Sequence, residues 1–138
     1  MAELPDDAVK MFSNENCDKD KPLVWISTVS RDSMPYSVPV CFTRIIDNDK
    51  ILIAVNFITK TVKNITMGSM VTASVAIPFT GYMVTGKGEI ITSGDLFDDV
   101  AERVKARFGG KIESKAAILI QVQKIFKLTP TAGKKEIT

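Results

Sequence analysis

The chain has 138 residues, 45% of them hydrophobic and 25% charged, with a net charge of +2, which is ordinary for one globular domain. No apolar run approaches the ~20 residues that a membrane-spanning helix needs. The acidic N-terminus, "MAELPDDAVK", lacks the apolar core of a signal peptide. We therefore expect a single soluble domain over 1–138, with an N-terminal helix and linker over 1–20 and a frayed tail over 130–138.

Histidine is absent from the chain, and Cys17 and Cys41 are its two cysteines. The lack of histidine excludes histidine-assisted serine and cysteine catalysis. Two isolated cysteines cannot fill a tetrahedral zinc site, so no metal is expected. They form no CxxC motif, and we expect no disulfide framework and a reducing, cytoplasmic location. Any chemistry is then expected to belong to a bound cofactor.

The first half of the chain predicts one helix and three strands. Residues 4–15 are expected to be helical because acids near their start suit a helix N-terminus. Residues 22–30 and 35–46 are rich in β-branched and aromatic residues and are joined by the turn "RDSM". Pro39 cannot donate to a ladder, so the second strand needs a free edge or a bulge there. The run "ILIAV" at 51–55 completes an antiparallel meander.

The second half adds three strands and two helices. With few helices and no βαβ repeat, the six predicted strands favour a small, mainly β antiparallel barrel with short flanking helices. The glycines of "GKG" and "GGKIES" do not match a nucleotide-binding loop and indicate a strand bulge and a helix stop. The predicted elements are a helix over 60–67, strands over 70–77 and 81–93, an amphipathic helix over 95–108 and a strand over 116–130.

Charge is unevenly distributed along the chain. Residues 1–20 carry six acids and two lysines, a net −4, and residues 103–138 carry nine bases and two acids, a net +7. Between Asp49 and Glu89 there is no acid, whereas four lysines fall there. An interval with one sign of charge suits an anionic ligand, although an apolar region with few charges also produces it by chance. The four lysines are Lys50, Lys60, Lys63 and Lys87.

The segment "NFITKTVKNI" at 56–65 follows the third strand. Thr59 is a plausible N-cap for the helix over 60–67, and Gly68 is a natural stop for it. A helix N-terminus offers free N–H groups and partial positive charge, so Lys60 and the hydroxyl of Thr61 could complete a phosphate-binding site there. The same residues also suit a plain capped helix, and the local pattern leaves both readings open.

Four stretches in this order resemble the flavin-binding split-barrel family related to pyridoxamine phosphate oxidase. They are "LVWISTVSRDSMPYSVPVCF", "ILIAVNFITKTVKNI", "VTASVAI" and "GYMVTGKGEI". The similarity runs from about Leu23 to Gly88 and more loosely to the end of the chain. The resemblance implies a six-stranded antiparallel split β-barrel, a homodimer and FMN held at the dimer interface.

The resemblance also implies roles for individual residues. Lys60 and Thr61 match the pair that grips the phosphate, with Thr59 at the cap and Asn64 one turn later. The oxidase itself has an arginine where Thr59 stands, and it has a C-terminal segment with histidine that is not found here, so pyridoxamine phosphate oxidation is not expected. The residues that match the strands and strand ends beside the flavin ring are Val38, Pro39, Val40, Cys41, Val55, Asn56 and Tyr82.

The first hypothesis is therefore a homodimeric FMN-binding flavoprotein, a redox protein or oxidoreductase that acts on a small molecule, or a flavin carrier. No side chain stands out as an acid or base, and a deazaflavin on the same barrel is a variant of this idea. The alternative is a non-enzymatic barrel that binds an anionic partner such as nucleic acid through its basic C-terminal third. Against the alternative, Phe108 and Phe126 are the aromatic residues available there for stacking, and both are expected to be buried.

Overall fold

The computed structural model describes residues 2–56, 59–129 and 133–137, with the backbone alone for Thr59 and for 133–136. Three helices and eight strands make up the described part. The helices are α1 (Asp6–Phe12), α2 (Thr59–Thr66) and α3 (Asp95–Arg107). The strands are β1 (Val24–Val29), β2 (Pro35–Val40), β3 (Thr43–Ile46), β4 (Lys50–Val55), β5 (Met70–Ile77), β6 (Thr80–Ile91), β7 (Ala116–Thr129) and β8 (Gly133–Glu136).

All eight strands belong to one antiparallel sheet in the order β2-β1-β5-β6-β7-β4-β3, with β8 paired to β7. The sheet curls into a half-barrel with three short helices around it, which confirms the predicted mainly β split-barrel fold. Strand β2 lies at one end of this order and pairs with β1 within the described residues. Pro39 therefore sits on an edge strand, as its missing N–H predicts.

The predicted strand over 35–46 is two strands. The first strand ends at Val40 and the second begins at Thr43. Strand β2 pairs with β1, whereas β3 pairs with β4 at the opposite end of the strand order. The prediction of one continuous meander is wrong at this point. A run of uninterrupted β-propensity does not reveal that its two halves pair with different strands.

Cys17 and Cys41, which were expected to form no disulfide framework, are joined in one disulfide with their Cα atoms 4.8 Å apart. The bond ties the loop after α1 to the junction between β2 and β3. An isolated bridge from Asn14 to Thr43 brings the same two segments together. The sequence gives no sign of this pairing because 24 positions separate the two cysteines. We expected a reducing location because we expected the thiols to be unpaired, and the disulfide removes that reason.

The C-terminal tail is not wholly frayed, since β8 extends the sheet from the end of β7. This adds the last of the eight strands where six were predicted. The other predicted elements match within two or three residues at each end. Within the described ranges, no helix combines the length and apolar character needed to cross a membrane.

Two hydrophobic cores hold the sheet. The larger core fills the barrel, where Leu4, just before α1, and Ala8 and Phe12 of α1 pack with buried residues of the strands. The smaller core lies between α3 and the other face of the sheet, where Val100 and Val104 are buried. The predicted amphipathic face of α3 is confirmed by these contacts.

Two glycines are fixed by their surroundings. At Gly86 the ladder between β6 and β7 shifts register, and an added Cβ would lie 1.8 Å from the carbonyl oxygen of Gln121. Gly68 has φ +105° and ends α2, where its N–H and that of Ser69 bond the carbonyls of Ile65 and Asn64. This is the Schellman pattern of helix termination. The predicted bulge and helix stop are both confirmed.

Candidate functional site

Helix α2 packs on β1 and β6, and it begins at Thr59, one residue earlier than predicted. Its buried face carries Thr61, Asn64 and Ile65, which lie three and four residues apart as one face of a helix requires. Lys60 and Lys63 are on the exposed side. The predicted capping role of Thr59 concerns a side chain outside the described part of the structure.

A groove of about 550 Å³ runs between α2 and the turn that joins β1 to β2. Three cationic side chains and one carboxylate line it, which leaves a local excess of two positive charges. There is no acid in the first turn of α2, so the positive end of the helix dipole is not neutralised from within the helix. The lining residues are Ser30, Arg31, Asp32, Lys60, Lys63, Asn64 and Met67.

The one carboxylate of the groove is held in its charged form. The Ser30 hydroxyl donates a hydrogen bond to Asp32, which is the main reason the pKa of Asp32 is lowered, and the positive charge of Lys60 lowers it further. Asp32 is therefore an anion at neutral pH. It is the one acidic side chain among the described residues that line the groove, and its charge opposes an anionic ligand there.

Lys60 is also held by an aromatic ring. Its Nζ lies 5.0 Å from the centroid of the Tyr36 ring on β2, within the range of a cation–π interaction. One helical turn further along, Asn64 Nδ2 donates to Thr28 Oγ1 on β1 at 3.0 Å. Both contacts join α2 to the same hairpin.

Thr61 does not line the groove. Its side chain is fully buried, and its Oγ1 has no hydrogen-bond partner in the described structure. A buried hydroxyl without a partner is rare because it costs about 1–3 kcal/mol. Because the Thr61 side chain is buried, its hydroxyl could reach a phosphate only if the side chains packed around it moved apart. The backbone N–H groups of the first turn of α2 need no such movement, because they have no hydrogen-bond partner within the helix.

The residues predicted to lie beside a flavin ring have different surroundings. Val40 and Val55 are buried in the barrel core, and Val38 packs against it while half-buried. Pro39 is exposed on the outer face of β2. The main-chain role that the resemblance implies for residues 38–41 stays a prediction.

Three further predicted residues already have partners. Cys41 is in the disulfide with Cys17. Asn56 Oδ1 accepts a hydrogen bond from Ser114 Oγ at 2.7 Å. Tyr82 is buried, and its hydroxyl donates to Asp7 Oδ2 at 2.6 Å. The structure does not bring Tyr82 to the groove around Lys60.

The pKa of Tyr82 is raised and the pKa of Asp7 is lowered. Both shifts preserve the hydrogen bond, because they keep the Tyr82 hydroxyl protonated and the Asp7 carboxylate charged. Burial, followed by the hydrogen bond to Asp7, raises the pKa of Tyr82 to about 12. The same hydrogen bond is the largest cause of the lowered pKa of Asp7. This pair fastens α1 to β6 and is a structural contact.

The other lysines of the acid-free interval are not part of the groove. Lys50 forms ion pairs with Asp49 at 2.8 Å and Asp47 at 3.8 Å. Lys87 is exposed on β6. The acid-free interval therefore overstated the number of lysines available to the groove. It also does not include Arg31, which lies before it in the turn "RDSM".

The basic C-terminal third does not present an aromatic stacking surface in its described part. Phe108 packs edge-on against Phe42 with ring centroids 5.9 Å apart, and Phe126 is half-buried. Arg103 is paired with Asp99 at 3.3 Å. No observation on the described residues favours the nucleic-acid alternative.

An exposed apolar face lies next to the groove. The outer side of β1 presents Trp25, 46% exposed, and Val29, with Pro39 and Pro35 opposite them on β2. A second groove of about 490 Å³ opens where β1 diverges from β5, and it shares Ser30, Arg31 and Met67 with the first. Exposed apolar patches on soluble proteins are often binding surfaces, so this face is a candidate interaction surface.

Comparison with known proteins gives one curated relative and several structures of the same fold. An uncharacterized protein of Methanocaldococcus jannaschii is 30% identical over 97% of this chain and 88% of its own length. HupZ of Group A Streptococcus is 22% identical, with a TM-score of 0.79 over 96% of this chain and 98% of that chain. An FMN-binding protein from Syntrophomonas wolfei is 16% identical, with a TM-score of 0.74 over 89% and 87% of the two chains.

Other proteins with this fold carry the names of different cofactors. One is an F420 reductase, with a TM-score of 0.64, and another is a heme-binding protein from Mycobacterium smegmatis, with a TM-score of 0.66. These structures are 15% and 11% identical to the chain, so the likeness is one of fold. The family model described as pyridoxamine 5'-phosphate oxidase matches residues 13–135. The chain therefore belongs to the pyridoxamine 5'-phosphate oxidase family of split-barrel proteins.

Proposed function

We propose that the protein is a flavoprotein that binds FMN, with the phosphate in the groove beside Lys60. The observation that carries this proposal is the cationic groove along the exposed side of α2, formed by Arg31, Lys60 and Lys63. Its excess of two positive charges matches a phosphate monoester dianion. The name of the Syntrophomonas wolfei protein with the same fold supports FMN as the ligand.

The residues present fit a phosphate group. Lys60 supplies a point charge, and the first amides of α2 supply hydrogen-bond donors along the helix dipole. The partnerless hydroxyl of Thr61 would gain an acceptor if a phosphate oxygen reached it. Asn64 fixes the rotation of α2 through its bond to Thr28, and this fixed rotation keeps the Lys60 and Lys63 side chains on the groove side.

We propose further that the active form is a homodimer in which a second copy covers the exposed face around Trp25. A free surface with Trp25, Val29 and Met70 each about half-exposed is unusual for a monomer. The face is continuous with the groove through Arg31 and Met67. A ligand bound in the groove would therefore lie at the edge of the dimer interface.

When bound, a flavin would supply the redox chemistry. The chain contains no histidine, and its own residues would bind the phosphate, orient the cofactor and exclude water from it. A redox protein or small-molecule oxidoreductase is consistent with these roles, in which the cofactor carries the chemistry and the protein binds and orients it. F420 is the second candidate cofactor, favoured by the shared fold of an F420 reductase.

A visible spectrum of the purified protein tests the proposal. Bands in the flavin region, or their appearance in the protein fraction after incubation with FMN and removal of excess, support it. A colourless protein that binds no added FMN overturns it. Mass spectrometry of the released cofactor distinguishes FMN from F420.

A further inference from the structure

The groove cation Lys60 is contacted by a residue that does not itself line the groove. Tyr36 lies on β2, and its ring centroid is 5.0 Å from Lys60 Nζ. Tyr36 is half-buried, on the same side of β2 as the interior residues Val38 and Val40. The Tyr36 ring therefore lies on the interior side of β2, partly exposed, and contacts the Lys60 ammonium group.

The contact is part of a two-point attachment. Tyr36 on β2 is directly opposite Thr28 on β1, and such cross-strand neighbours point to the same face of a sheet. Thr28 accepts the hydrogen bond from Asn64, and Tyr36 contacts Lys60. Lys60 and Asn64 are four residues apart on α2, so they are neighbours along one side of the helix. One cross-strand pair thus holds two successive turns of α2.

We infer that Tyr36 is a positioning residue, whose ring holds Lys60 at the groove in the orientation that receives an anionic ligand; the inference rests on the proposed function. A free lysine side chain loses considerable rotamer entropy when it is ordered by a ligand. A ring that already restricts Lys60 reduces this cost. The ring covers one side of the ammonium group, which has three donors, so donors remain for a phosphate.

Tyr36 and Asp32 both interact with Lys60, but they should have opposite effects on the binding of an anion. Asp32 also attracts Lys60, but it carries negative charge that opposes a phosphate. Tyr36 restricts Lys60 without adding negative charge. Removing the ring should therefore weaken anion binding, whereas removing the Asp32 charge should strengthen it.

A double-mutant cycle with FMN as the ligand tests this inference. Tyr36→Leu should weaken FMN binding roughly 2- to 5-fold, the effect of one exposed cation–π interaction. Tyr36→Phe keeps the ring and should restore wild-type affinity. In a Lys60→Ala background, Tyr36→Leu should have no further effect, because the lysine it positions is gone. A merely structural role would lower affinity in both backgrounds. Tighter binding by Tyr36→Leu would mean that the ring competes with the ligand and would overturn the inference.

A second measurement uses the ligand-free protein. Proton NMR should show the Lys60 side-chain methylene protons shifted by the Tyr36 ring current in the wild type and in Tyr36→Phe, and unshifted in Tyr36→Leu. Absence of the shift in the wild type overturns the inference whatever FMN does. If the shift is present but the wild type binds no FMN, the proposed function fails, and the positioning role fails with it. If the wild type binds FMN and Lys60→Ala weakens it while Tyr36→Leu does not, the inference alone fails.

Discussion

Replacing Lys60 by alanine removes the cation nearest the start of α2. A hydrogen bond to a charged group contributes about 1.5–3 kcal/mol, so the dissociation constant for FMN should rise roughly 10- to 150-fold. The lower part of this range is expected because Lys60 is exposed and therefore screened by solvent. Quenching of flavin fluorescence in a titration at fixed salt measures the constant.

The matched control is Lys105→Ala, which removes an exposed lysine from α3. Helix α3 packs on β4 and β7, whereas α2 packs on β1 and β6. FMN affinity should be unchanged in this variant, and thermal unfolding of both variants should resemble the wild type. Added salt should weaken FMN binding by the wild type more than by Lys60→Ala. Equal affinities of the wild type and Lys60→Ala would refute the assignment of the groove to the phosphate.

Four other outcomes are expected. Thr61→Val removes a buried partnerless hydroxyl, so the free energy of unfolding of the ligand-free protein should rise by about 1 kcal/mol while FMN affinity falls; unchanged affinity in a titration would show that the hydroxyl has no role in binding. The folded-state pKa of Tyr82 is raised from 10.0 to about 12, so stability present below pH 10 should be lost as the pH rises from 10 to 12, and denaturant unfolding of Tyr82→Phe should lack this loss. Gly86→Ala should destabilise the fold by at least about 1–3 kcal/mol, because its Cβ would overlap a backbone carbonyl of Gln121, and a chemical denaturation curve like that of the wild type would contradict this. Trp25→Lys should convert the proposed dimer to a monomer in sedimentation experiments, and a persistent dimer would place the interface elsewhere.

Much of the fold could be predicted because several signals were local. The apolar stripe of α3, the β-branched and aromatic residues of the strands and the glycine at the β6 bulge each constrain the backbone within a few residues. The break after Val40 and the pairing of Cys17 with Cys41 could not be predicted in this way. Both depend on which distant segments meet, and that information is not carried by periodicity or by the spacing of two cysteines.

The candidate site was only partly predictable for related reasons. The position of Lys60 at a helix start follows from the "TKT" motif. The burial of Thr61 could have been anticipated, because Thr61 and Ile65 are four residues apart and therefore share a helix face. The approach of Arg31 and Tyr36 to α2 could not, since it is produced by tertiary packing of the β1–β2 hairpin. The sequence therefore singled out the helix of the candidate groove, but it did not indicate that Arg31 and Tyr36 of the facing hairpin approach this helix.

A crystal structure of the protein grown with FMN tests the central claim most directly. We expect a phosphate oxygen within about 4 Å of Lys60 Nζ, the usual limit for an ion pair, with the phosphate at the first turn of α2. FMN bound with its phosphate away from Lys60, while solution titration shows saturable binding, would contradict the claim.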